Sequence, residues 1–134
     1  MRVNVFFYGL FMDVALLHAK GVIPQNPMLA ELQGYSLRIG NRATLVPDAN
    51  KTVYGSLMSL THDEIDRLYS DESLKAYRYE PVIVHTKDGR TLPALCFNLI
   101  EPPAHHERNE EYARKLKLVA IQCGLPEAYV NSIS

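Results

Sequence analysis

The sequence predicts an α+β fold in which a mixed sheet is curled or closed into a barrel, with helices packed outside it. Three observations carry this. Five or six stretches have the apolar or alternating pattern of strands. The helical patterns between them are short, and the long one lies near the C-terminus. The spacing lacks the regular alternation of strand and helix that builds a doubly wound sheet.

Val3, Val5, Phe6 and Phe7 read as a buried strand. Asp13 is placed to N-cap a short helix over Val14 to Lys20, with Gly21 as its stop. Pro24 and Pro27 hold the next turn open. Met28 to Ile39 reads as a long strand with Gly34 as a bend or bulge. Arg42 to Val46 reads as a further strand ended by Pro47, and Pro47-Asp48-Ala49-Asn50 as a turn. Val53 to Leu60 alternates as a strand. Thr61-His62-Asp63-Glu64 has the form of a capping box, and the helix behind it buries Ile65 and Leu68. Pro81 to Thr86 and Leu92 to Leu99 read as a hairpin joined through Lys87-Asp88-Gly89-Arg90. Pro102-Pro103 breaks the pattern. A helix over Arg108 to Cys123 carries Tyr112, Leu116, Val119 and Ala120 at helical spacing. Gly124 ends it, and Pro126 starts a last short helix through Val130.

The 134 residues form one domain, 1–134, long enough to bury a core without covalent staples. The net charge of −1 and the lack of a basic patch argue against nucleic acid. Arg114, Lys115 and Lys117 fall in a helical pattern and read as a solvated face. The apolar run Val3–Leu17 is interrupted by Asn4, Gly9 and Asp13. It is a poor signal-peptide core and too short to span a bilayer. Cys96 and Cys123 sit in apolar settings and read as buried free thiols, which fits a reducing cytosol. A soluble, cytoplasmic protein without a membrane partner is expected.

Two Tyr-Gly phrases stand out. The first, Tyr8-Gly9, follows a strand and precedes a helix N-terminus. It reads either as a simple strand-to-helix turn or as an anion cradle built from backbone amides. The second, Tyr54-Gly55, has strand residues on both sides, and close packing or a bulge explains its glycine. In Tyr69-Ser70-Asp71-Glu72-Ser73, adjacent carboxylates leave a helix end. They read either as a solvated C-terminus or as a source of a general base. His105-His106-Glu107 lacks a third ligand at sensible spacing, so no metal site is expected.

With these residues in view, FFYGLFMD at Phe6–Asp13 resembles the opening loop of the gamma-glutamylcyclotransferase-like superfamily. The likeness continues in order through LRIGNRATLVP, VYGSLMSL, LYSDESLKAYRYEPVIV, ALCFNL and LVAIQCGLPEAYV, and so covers almost the whole chain. It implies a small mixed β-barrel of five to seven strands with flanking helices. It makes Tyr8, Gly9, Leu10, Phe11, Met12 and Asp13 the substrate cradle, and VYGSLMSL a barrel strand.

The implied chemistry is intramolecular. The substrate's α-amine attacks its γ-carbonyl and releases 5-oxoproline, with no cofactor or metal. The family's acid is a Glu before the Tyr that opens the next strand. Tyr77 matches that Tyr and would line the pocket. The acid's place falls on Asp71, with Glu72 one position later, and either is a candidate base. Arg42, at a strand start, is a candidate partner for a substrate carboxylate or else a surface charge. The expected partner is a small gamma-glutamyl substrate or a glutamate-like ligand. The alternative is a binding module of the same fold without turnover. The crowded Leu10-Phe11-Met12 points to a substrate other than glutathione-derived peptides.

Overall fold

Val5, Phe6 and Phe7 form an unbroken apolar run, and all three are buried. The computed structural model describes residues 1–134 and places them in β1 (Arg2–Phe7). β1 lies between β3 (Ala43–Thr61) and β5 (Thr91–Leu99). With β2 (Gln25–Ile39) and β4 (Tyr77–Thr86) the strands close a barrel in the order β1-β3-β2-β4-β5. The closure is parallel, Val5 pairing with Leu95, and every other pairing is antiparallel. The sheet is therefore mixed and closed, as the sequence reading expects.

Three strands are longer than their sequence signals. β2 starts at Gln25, with a register shift between Gln25 and Met28 and Asn26 at φ 52°. The irregularity accommodates Pro27, which has no amide to give the ladder. Gly34, at φ 87°, marks a second shift between Gln33 and Tyr35. There β2 advances from Gln33 to Tyr35 while β3 passes from Thr52 to Pro47. Residues 48–51 therefore bulge from a continuous strand, and the expected turn at Pro47–Asn50 does not reverse the chain. Turn chemistry persists locally, because the Asn50 amide donates to Asp48 Oδ1 at 3.4 Å. β4 begins at Tyr77, before Pro81, because β2 pairs with β4 only near Ala30 and Glu31. Pro81 sits where one edge of β4 is open, which a missing amide tolerates.

The helices start where their caps dictate. α1 (Val14–Ala19) is capped by Asp13, which accepts from the Ala15 amide at 3.0 Å. α2 (His62–Tyr69) has the full capping box: the Glu64 amide donates to Thr61 Oγ1 at 3.1 Å, and the Thr61 amide to Glu64 Oε1 at 2.9 Å. α3 (Glu110–Cys123) begins at an Asn109 cap and ends at Gly124, whose φ of 81° is left-handed. α4 (Glu127–Ser132) follows Pro126. No helix is long and apolar enough to cross a membrane.

α3 buries Ala113, Leu116 and Ala120 and packs at the barrel mouth, not behind it. Its Cys123 thiol approaches the Met12 carbonyl at 3.6 Å, and its Tyr112 hydroxyl stands beside Gly9 and hydrogen-bonds the Leu10 backbone. Both thiols are free. Cys96 is buried, whereas Cys123 is only half-buried, because it sits at the last turn of the helix.

Candidate functional site

The end of β1 delivers Tyr8 and Gly9 to the mouth of the barrel. Gly9 is extended, at φ −113° and ψ −152°, so no left-handed backbone requires glycine there. The requirement is space: a Cβ at Gly9 would stand 2.9 Å from the Tyr112 hydroxyl. A 3-10 turn, Leu10–Met12, follows. The Met12 amide donates to the Gly9 carbonyl and the Asp13 amide to the Leu10 carbonyl, both at 3.0 Å. These two amides close the turn itself. Met12 is buried in the core, and Asp13 is engaged as the cap of α1.

A cavity of about 200 Å³ opens beside this turn. Tyr8, Gly9, Leu10 and Phe11 form one wall. Tyr77 and Arg42 contribute from β4 and from the β2–β3 connection. Six of the eight expected binding residues, all but the core residue Met12 and the cap Asp13, thus line the cavity, joined by residues the sequence did not single out for binding: Tyr69, Phe97 and Tyr112. Tyr69 stacks on Phe97 with ring centroids 3.9 Å apart and 11° between planes. Phe11 meets Tyr69 edge-on at 5.9 Å. The aromatic wall is therefore continuous from the loop to β5.

Apart from Asn41 and the Arg42 guanidinium, the polar side chains of the chamber are phenols. Tyr8 Oη donates to the Phe97 carbonyl at 2.6 Å, and Tyr77 Oη donates to the Ala43 carbonyl. Burial pushes Tyr8 and Tyr69 well above the ordinary phenol value. It pushes Tyr77 up as well, against the pull of the Arg42 guanidinium. These phenols are neutral near pH 7 and act as hydrogen-bonding groups, not as bases.

No carboxylate lines the chamber. Asp71 faces solvent and accepts from the Ser73 amide at 2.9 Å and the Ser73 hydroxyl at 2.8 Å. Those bonds hold its carboxyl below the usual range. Glu72 pairs with Lys75 at 2.7 Å, with 86% of its side chain exposed. Of the stretch Tyr69–Ser73, the phenol faces inward and the carboxylates face out. The signal for this is in the sequence: Tyr69 lies four residues after the buried Ile65, on the inward face of α2.

Arg42 is the chamber's cation. It enters none of the chain's ion pairs, which involve Arg2, Lys75, Arg90 and Lys115. Its loop is strapped down by the segment before α3. Asn109 Nδ2 donates to the Gly40 carbonyl at 3.2 Å, and a Cβ at Gly40 would lie 2.5 Å from Pro103 Cβ. No group of three or more His, Cys, Asp or Glu is placed to hold a metal ion.

The second Tyr-Gly has no cavity of this kind beside its glycine. Gly55 lies inside β3, where a Cβ would stand 2.3 Å from the Phe7 carbonyl oxygen.

Comparison with known proteins agrees with this architecture. A family model described as the AIG2-like family matches residues 52–133. A solved structure titled gamma-glutamyl cyclotransferase superposes with a TM-score of 0.83 at 18% identity, covering 100% of this chain and 89% of that one. An uncharacterized protein from Homo sapiens gives 0.82 at 19% identity, over 99% and 88% of the two chains. YkqA from Bacillus subtilis gives 0.81 at 24% identity, over 97% of this chain and 52% of that one. A search of curated proteins returns no match. At these identities the structural likeness establishes the fold.

Proposed function

The chain belongs to the AIG2-like family, with a gamma-glutamylcyclotransferase-like fold, and from that premise we propose that it is a small-ligand-binding module without cyclotransferase turnover. The carrying observation is the chamber beside Gly9, which contains a free Arg42 and no carboxylate. Cyclotransfer needs a base to take the proton of the substrate's ammonium. The chamber phenols are held neutral by burial, and Asp71 and Glu72 face solvent. What remains is a pocket whose charge complements a small anion.

One observation favours the enzyme reading, release of 5-oxoproline from a gamma-glutamyl amine or peptide. Leu74 lines the chamber, and it belongs to the same short 3-10 turn as Glu72. A rotation of that turn would bring Glu72 toward the rim.

The deciding experiment is an assay of 5-oxoproline release from gamma-glutamyl amino acids and amines, run beside calorimetric binding of L-glutamate. The expected result is binding without release, weakened by Arg42→Gln and indifferent to Asp71→Asn and Glu72→Gln. Release abolished by Glu72→Gln alone would overturn the binding reading and name the base.

A further inference from the structure

The chamber is not isolated. Asn41 and Arg42 also line a second, open groove of about 630 Å³, bounded by Arg78, Glu101 and Glu107. The two spaces meet at Arg42. Within the groove, Arg78 is already engaged, donating to the Lys75 and Tyr77 carbonyls at 2.6 and 2.8 Å. Arg42 is thus the free guanidinium at the junction of an aromatic chamber and a polar groove.

From this geometry, and resting on the binding reading above, we propose that the ligand is an amide-bearing carboxylic acid with an uncharged, ring-sized body, such as an N-acyl amino acid. Its body enters the chamber and its carboxylate meets Arg42 at the junction. Each part follows from a feature of the walls. The chamber is smaller than the usual 300–1,000 Å³ of a drug-sized site, which limits the body to about one ring or branched chain. The stacked Tyr69–Phe97 pair with Phe11 at its edge supplies faces for such a body. Tyr77, only partly buried, has already donated its proton to the Ala43 carbonyl, so its oxygen is left as an acceptor for an amide N–H.

A free glutamyl group fits less well. Placed in the chamber, its ammonium would meet no carboxylate, since Glu101 and Glu107 line only the groove beyond Arg42, and that is costly. An amine or quaternary ammonium would be drawn to the aromatic rings, but Arg42 lies in the same chamber and repels it.

The test is calorimetric titration of the full chain with named probes: N-benzoylglycine, its neutral amide N-benzoylglycinamide, benzylamine and L-glutamate. N-benzoylglycine is expected to bind at least tenfold more tightly than L-glutamate and benzylamine. Arg42→Gln is expected to weaken N-benzoylglycine tenfold or more, the scale of one charge-assisted bond, and to leave N-benzoylglycinamide unchanged. Equal loss for acid and amide would remove Arg42 from the role. Tighter binding of L-glutamate or benzylamine would overturn the ligand class while leaving the binding module standing. Failure of all four probes would overturn both.

Discussion

The chain contains Tyr-Gly twice, and the two copies do different work. Tyr8-Gly9 ends a strand at the barrel mouth, and both residues line the chamber. Tyr54-Gly55 lies inside β3, where the glycine lets β1 press against the strand. What a Cβ would meet separates them. At Gly9 it is the tip of a tyrosine side chain, 2.9 Å away. At Gly55 it is the Phe7 carbonyl oxygen, 2.3 Å away, with the Phe6 ring behind it at 2.9 Å. A side-chain tip can swing aside, and a backbone oxygen in a ladder cannot. The same dipeptide therefore marks a ligand surface in one place and a packing constraint in the other. The second also supports the first, because the strand it admits is the one that carries Tyr8 to the mouth.

The largest predicted effect tests that contrast directly. Gly55→Ala is expected to destabilise the fold by about 3 kcal/mol, at the upper end of overpacking costs. Gly9→Ala is expected to cost under about 1 kcal/mol, because Tyr112 yields, yet to weaken chamber binding by filling its wall. Denaturant midpoints and probe titrations on the two variants read both quantities. Comparable destabilisation by the two would erase the distinction between wall and working loop.

A smaller effect comes from the tyrosines. Tyr8 Oη is buried and donates to the Phe97 carbonyl at 2.6 Å, tying β1 to β5 beside the single parallel closure. Tyr8→Phe deletes that buried hydrogen bond and is expected to cost about 1–2 kcal/mol. Tyr54 packs its ring against Tyr129, centroids 5.2 Å apart, and phenylalanine keeps that contact. Tyr54→Phe is expected to be neutral within about 0.5 kcal/mol. Thermal melts of the pair check the difference.

Much of this contrast was legible before any coordinates. Flanking pattern alone separated a strand-end glycine from a mid-strand one. The caps at Asp13 and Thr61 and the stop at Gly124 were legible because each is a local side-chain or backbone event. The continuity of β3 was not, because Pro47–Asn50 carries real turn chemistry that the long pairing with β2 absorbs as a bulge. The chamber's aromatic half was not legible either. Tyr69, Phe97 and Tyr112 come from α2, β5 and α3, and only barrel closure brings them together. In Tyr69–Ser73 the eye goes to the charged letters. Burial selects the phenol, since a helix end can turn carboxylates to water at little cost.

The smallest predicted effect concerns pH, and it sharpens the comparison by separating the strand that holds Gly55 from the chamber. β3 ends at a clamp around Glu64. Burial pushes this carboxyl up, but hydrogen bonds from Thr61 and the Ile23 amide, with Arg2 at 3.6 Å, outweigh it and bring the folded value below the ordinary one. A group depressed in the folded state contributes stability above its unfolded value, roughly 4.3, and that contribution is lost as pH falls through the folded value. Wild type is therefore expected to exceed Glu64→Gln by about 1 kcal/mol or less at pH 7, the scale of a helix cap. The gap should begin to close as pH drops below roughly 4.3 and vanish further down. The chamber has no lining carboxylate to titrate in that window. Binding of the neutral N-benzoylglycinamide should accordingly stay flat wherever the protein remains folded. Melts of wild type and Glu64→Gln across the acid range, with probe titrations alongside, would show whether the clamp and the chamber respond separately. Affinity that fell in step with the stability gap would mean that an acid group governs the chamber after all.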